Sequence, residues 1–104
     1  MSSEGMARVY DLEFPDHLDG YEAEVEAKGY LEGVKVSRRG SVYELTIYDP
    51  VRLGQEVTDE VAADGSFAVA NLVVVDRVTR EEISRAVERQ SRSDFSGLAP
   101  TSAG

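Results

Sequence analysis

Few residues in this chain are equipped for chemistry. His17 is the only histidine, set between Asp16 and Asp19. An imidazole titrates near neutral pH and can act as a general base or a metal ligand. A metal at His17 would need carboxylates brought from elsewhere in the fold. A nucleophilic pair would have only this histidine and a Ser or Thr, and no G-x-S-x-G elbow presents one. His17 is therefore read as a surface turn residue. The second place is Tyr48-Asp49-Pro50, where a carboxylate follows a phenol. A helix N-terminus favours the charged form of an aspartate, which suits capping better than proton abstraction at neutral pH. The triplet is read as a joint between a strand and a helix. His17, Tyr48 and Asp49 are the candidates for an enzymatic or ligand-binding reading.

Carboxylates are abundant. Glu22, Glu24 and Glu26 alternate with Ala23, Val25 and Ala27. On a strand they would form a ladder about 7 Å apart on one face, facing basic side chains. No calcium loop of the D-x-[DN]-x-[DN]-G type occurs, and "DHLDG" and "AADGS" lack its spacing. No metal or cofactor is expected. Neither phosphate-binding glycine motif is present. Arg38-Arg39 is the best basic spot, read as a hairpin tip that could touch an acidic surface. The five tyrosines all fall between Tyr10 and Tyr48. Tyr10, Tyr21 and Tyr43 are assigned to inward faces. Tyr30 and Tyr48 are left as candidates for a protein-binding surface, where tyrosine is favoured.

Charge gives the broadest constraint. The chain has 104 residues and a net charge of −9. Residues 1–64 hold 15 acids and 6 bases, whereas residues 65–104 hold 5 of each. Such a first half repels nucleic-acid phosphate, whose capture needs clustered Lys and Arg, and attracts a basic partner. The absence of cysteine excludes disulfides, thiol nucleophiles and thiolate metal sites. It also fits a reducing cytoplasm. No apolar run approaches the ~20 residues of a membrane helix, and "MSSEGMARVY" has no signal-peptide pattern.

The elements that must position these residues follow from hydrophobic period. Residues 1–6 read as a disordered N-terminus, 7–90 as a single domain and 91–104 as a disordered C-terminal tail. In that tail Phe95 and Leu98 are the only large apolar groups able to dock. In "RVYDLEF", Tyr10, Leu12 and Phe14 point one way, as in a half-buried strand ended by Pro15. Residues 21–28 alternate strictly and are assigned to a strand, although Glu and Ala favour helix. "VKVSRRGSVYELTIY" is a hairpin whose turn is Arg38-Arg39-Gly40-Ser41, with Gly40 able to take positive φ, and Tyr43, Leu45 and Ile47 lie on one face. The period then lengthens: Leu53, Val57 and Val61 form a helical stripe between the Asp49 cap, Pro50 at the first position and Gly65 past the end. Gly54 inside that helix costs about 1 kcal/mol relative to Ala and would let the helix lie close to the sheet. Leu72–Val75 reads as a central strand buried on both faces, with a bend at Asn71. Thr79 and Glu82 form a capping box, Val78 and Ile83 a staple, and Ile83, Ala86, Val87 and Gln90 fall on one face.

The sum is an α+β fold: a mostly antiparallel sheet of about five strands, with two short helices packed on one face. The expected function is a small acidic non-enzymatic protein-binding module, regulatory or immunity-like, that engages a basic partner through Glu22, Glu24, Glu26, Tyr30 and Tyr48. One alternative is a small-molecule-binding or enzymatic subunit with its site at a helix–sheet or oligomer interface. The other is a structural protomer that associates with itself.

Overall fold

The structure, a computed structural model, describes residues 10–103. In chain order its elements are β1 (Asp11–Glu13), α1 (Glu22–Lys28), β2 (Tyr30–Arg38), β3 (Ser41–Tyr48), α2 (Pro50–Asp64), β4 (Leu72–Val74), α3 (Arg80–Ser91) and β5 (Ser102–Ala103). Strand order is β1-β2-β3-β4, with β5 paired to the start of β3. The first three strands are antiparallel and β4 runs parallel to β3. The fold is α+β, as expected. Its sheet is mixed rather than mostly antiparallel, because the α2 crossover carries the chain back toward the end at which β3 began, so that β4 runs in the same direction. The helices number three, one more than the period suggested.

The extra helix is α1, which replaces the strand expected at 21–28. Gly20 and Gly29 both take positive φ at its two ends, and Gly29 is the left-handed C-cap whose N–H donates to the Val25 carbonyl. Alternation misled because Val25 is the only residue of α1 that is buried. Ala23 and Ala27 demand no burial, so the intrinsic preference of Ala and Glu for helix decides. Tyr21, assigned inward, is 59 % exposed.

The hairpin forms as read. Arg39 and Gly40 both have positive φ, which matches the right-handed twist of the flanking strands. A register shift between Glu32 and Val34 lets Leu31, Val34 and Val36 all face the core. Tyr43, Leu45 and Ile47 meet them from β3. This face is covered by Leu18, Val25, Val78, Ile83 and Val87. Thr79 Oγ1 accepts from the Glu82 amide at 3.2 Å, and Val78 and Ile83 are both buried. The expected return bond from Glu82 is replaced by its pairing with Arg85 at 3.0 Å.

Three further expectations change. β4 is a terminal strand with Val74 exposed on its outer face, not a doubly buried central one. Asn71 does bend the chain before it, at φ 53°, and its side chain bonds both the amide and the carbonyl of Ala99. The tail assigned to disorder docks instead. Phe95 is 1 % exposed, stacked 5.4 Å from Tyr43 and edge-on 5.6 Å from Tyr10. Leu98 packs beside the same core. The segment 1–6 and the first residues of the "RVYDLEF" strand lie outside the described residues.

Only α1 and α3 pack on the core face. Helix α2 buries none of its residues. Its cap is as read: Asp49 Oδ1 accepts from the Arg52 amide at 2.7 Å, Pro50 opens the helix, and Gly65 closes it at φ 84°. Gly54 does not serve close packing on the sheet, since a Cβ added there would meet nothing within 4 Å.

Candidate protein-binding surface

On the sheet face opposite the core, Tyr30 and Tyr48 are register partners on β2 and β3, with ring centroids 5.0 Å apart. Tyr48 is only 5 % exposed, with Phe67 edge-on at 6.4 Å. Tyr30 is half-buried, and its hydroxyl donates to Glu32 Oε1 at 2.6 Å. The Arg52 guanidinium stands 5.9 Å from the Tyr30 ring centre and pairs with Glu56 at 2.8 Å. Burial, then the Glu32 carboxylate that accepts its proton, pushes the Tyr30 hydroxyl up to about 12. Burial and the nearby Glu56 charge raise Tyr48 as well. Both phenols are therefore neutral hydrogen-bond donors over the ordinary pH range.

The two acidic helices meet beside this pair. The Asp49 amide donates to the Gly29 carbonyl at 2.9 Å, which joins the end of α1 to the start of α2. The Asp49 carboxylate lies against Gly29, where any side chain would collide with it. The cap and this contact fully occupy Asp49. Tyr48-Asp49-Pro50 thus forms the joint between β3 and α2.

The glutamates of α1 do not form the ladder expected of a strand. At about 100° per residue, Glu22 and Glu26 share one side of the helix and Glu24 lies on another. Glu22 bonds Arg80 at 3.1 Å. Its own backbone amide at the helix start, followed by Arg80, lowers its pKa. Glu24 and Glu26 are exposed and join no ion pair among the described residues. Tyr30 and Tyr48 are thus brought together, Glu24 and Glu26 stand exposed on α1, and Glu22 is tied into the fold.

The other candidates are placed apart from this surface or are already engaged. His17 is exposed on a 3-10 turn, Asp16–Leu18, and lines a shallow groove with Glu13, Glu32, Lys35 and Glu44. No group of three or more histidines or carboxylates is placed to hold a metal among the described residues. Arg38, at the hairpin tip, pairs with Asp94 at 2.7 Å and stands over the Phe95 ring. It fastens the tail.

Reading the sequence missed two contributors. Phe67 was not singled out, and its approach to Tyr48 is a matter of tertiary placement. The stripe Leu53–Val57–Val61 was recognised but assigned to the core, whereas Val57 is 36 % and Val61 45 % exposed. The available signal was the run of acids at 56, 59, 60 and 64, which narrows the apolar arc of α2.

Fold and surface together define a small α+β domain with an acidic, tyrosine-bearing end. Comparison with protein-family models, curated proteins and solved structures finds no match. No helix among the described residues is long and apolar enough to cross a membrane.

Proposed function

We propose that the chain is a small non-enzymatic protein-binding module, regulatory or immunity-like, that engages a basic protein through its acidic end. The observation that carries this reading is a set of exposed carboxylates without basic partners on α1 and α2, the two helices joined by the Asp49–Gly29 hydrogen bond. Glu24, Glu26, Asp59 and Asp64 are exposed and join no ion pair with a base among the described residues. Unpaired acids of one sign on two adjoining helices repel one another, and a basic partner relieves that repulsion. A tyrosine at such a surface offers apolar area and a donor in one side chain.

The test is capture on the immobilised chain, with bound proteins identified at low and then physiological salt. The control carries Glu24→Lys and Glu26→Lys. Glu22 is left intact because its bond to Arg80 belongs to the fold. A basic protein held in stoichiometric amount should associate about tenfold more slowly with the control, and with a flatter salt dependence. Unchanged association kinetics in the double variant would sink the proposal.

A further inference from the structure

Helix α2 is amphipathic, yet its own chain half-covers Leu53 and leaves the rest of the apolar side exposed. None of its residues is buried, and Val51, Val57 and Val61 are all exposed. In proteins an amphipathic helix draws most of its stability from packing that side, so the side is fitted for something else. Residues four apart form rows along a helix. Pro50, Gly54 and Thr58 make one such row, a trough, because Gly54 has no side chain and open space above it. Leu53, Val57 and Val61 form one wall of the trough, and Val51 and Gln55 begin the other. Outside the first wall runs the row Arg52, Glu56, Glu60, Asp64, in which Arg52 and Glu56 pair with each other at 2.8 Å and leave Glu60 and Asp64 as its acids without a base among the described residues. The second wall ends on Asp59.

A trough between two ridges is what a second helix packs into, and here acids border it on both sides. We propose that this trough seats a basic amphipathic helix of the partner. The partner's apolar ridge would lie against Leu53, Val57 and Val61, and its Lys and Arg would meet Glu60, Asp64 and Asp59. The inference rests on the reading that the partner is basic, and adds the surface and the kind of segment it binds. A second copy of the chain is the poorer occupant, because pairing α2 with itself sets two acidic borders together. Those borders are crowded already: the Glu60 carboxyl is held above its usual range by its hydrogen bond to Asp64, the Asp64 charge, and then Glu56 and Asp59.

The test uses two synthetic peptides of about five helical turns and identical composition. One has leucines on a single helical face and lysines elsewhere; the other is a scramble without period. Both are titrated by fluorescence anisotropy into the full chain and into its Val57→Asp and Glu60→Lys/Asp64→Lys variants. Because no residue of α2 is buried, these variants should fold, and circular dichroism confirms it. The amphipathic peptide should bind at least about tenfold more tightly than the scramble. Val57→Asp should erase that difference, and the charge reversal should weaken both peptides. Equal binding of the two peptides, unaltered by Val57→Asp, overturns the seat and leaves the acidic-module reading standing. Failure of both peptides to bind, with capture of a basic protein still sensitive to Glu24→Lys and Glu26→Lys, also overturns the seat alone. If neither peptide binds and that capture is also lost, both readings fall. If light scattering shows a dimer that Val57→Asp dissolves, the occupant is a second copy and the proposal is overturned.

Discussion

Tyr30 and Tyr48 differ in what their surroundings ask of them. Tyr48 is covered and serves as the floor on which Phe67 and Tyr30 rest. Tyr30 keeps part of its ring in solvent and its hydroxyl on Glu32. The Tyr30 pKa rises from 10.0 to about 12 on folding, chiefly through burial and then through Glu32. The folded state thus holds this proton more tightly than the unfolded chain. The stability contributed by the neutral phenol is complete below pH 10 and is lost as pH climbs through about 12. The difference in urea midpoint between the parent chain and Tyr30→Phe should therefore be constant below pH 10 and shift against the parent above it. A pH-independent difference would show that the Tyr30 hydroxyl titrates alike in the folded and unfolded chain. The candidacy of both tyrosines was legible in the sequence, since neither sat on a face already claimed for the core. Their contact was not, because a register pairing between β2 and β3 sets it.

Among the elements, α2 departs furthest from expectation, and it yields two predictions. Gly54 sits in its interior with nothing near a Cβ. Gly54→Ala should therefore stabilise the helix by up to about 1 kcal/mol, read as higher helicity and a higher melting temperature. A loss of stability would mean that the open space above Gly54 is filled in solution. Glu60 has a raised pKa, caused first by its hydrogen bond to Asp64 and then by the Asp64, Glu56 and Asp59 charges. A raised carboxyl pKa means that ionisation at neutral pH works against the fold. Glu60→Gln should raise the melting temperature at neutral pH. Its benefit should vanish below the ordinary value of 4.5, where Glu60 is protonated in both states. Both cap residues of α2 were readable because caps are local hydrogen-bond chemistry. Whether its stripe is covered was not, because that depends on where the crossover from β3 to β4 carries it.

At the scale of the molecule, the tail completes the core. Phe95 lies between Tyr10 and Tyr43, and Arg38 joins Asp94 above it. Residue 95 thus ties the first described strand to the hairpin. Phe95→Ala should cost about 3–5 kcal/mol in urea unfolding, the range for removing a buried aromatic ring. A change near zero would return the segment after Ser91 to the free tail that its composition suggested. The charge asymmetry also has its meaning at this scale. The acidic half supplies α1, α2 and the tyrosine pair. The neutral half supplies α3 and the tail, whose Arg80 binds Asp19 and Glu22.

The sequence by itself determined what local chemistry controls. It specified the hairpin and its Arg39-Gly40 turn, the caps at Asp49, Thr79 and Gly65, the inward faces of β3 and α3, and the α+β class. These depend on backbone preference and on the period of a few neighbouring residues. Tertiary structure alone decided four things. Residues 22–28 are helical because only Val25 among them finds a core to enter. β4 is a parallel edge strand because α2 crosses over before it. Phe95 is buried because Tyr10 and Tyr43, distant in sequence, leave a slot between them. Val57 and Val61 are exposed because the crossover from β3 to β4 leaves α2 with Leu53 alone of its stripe half-buried. In each case the deciding contact joins residues that no local window contains.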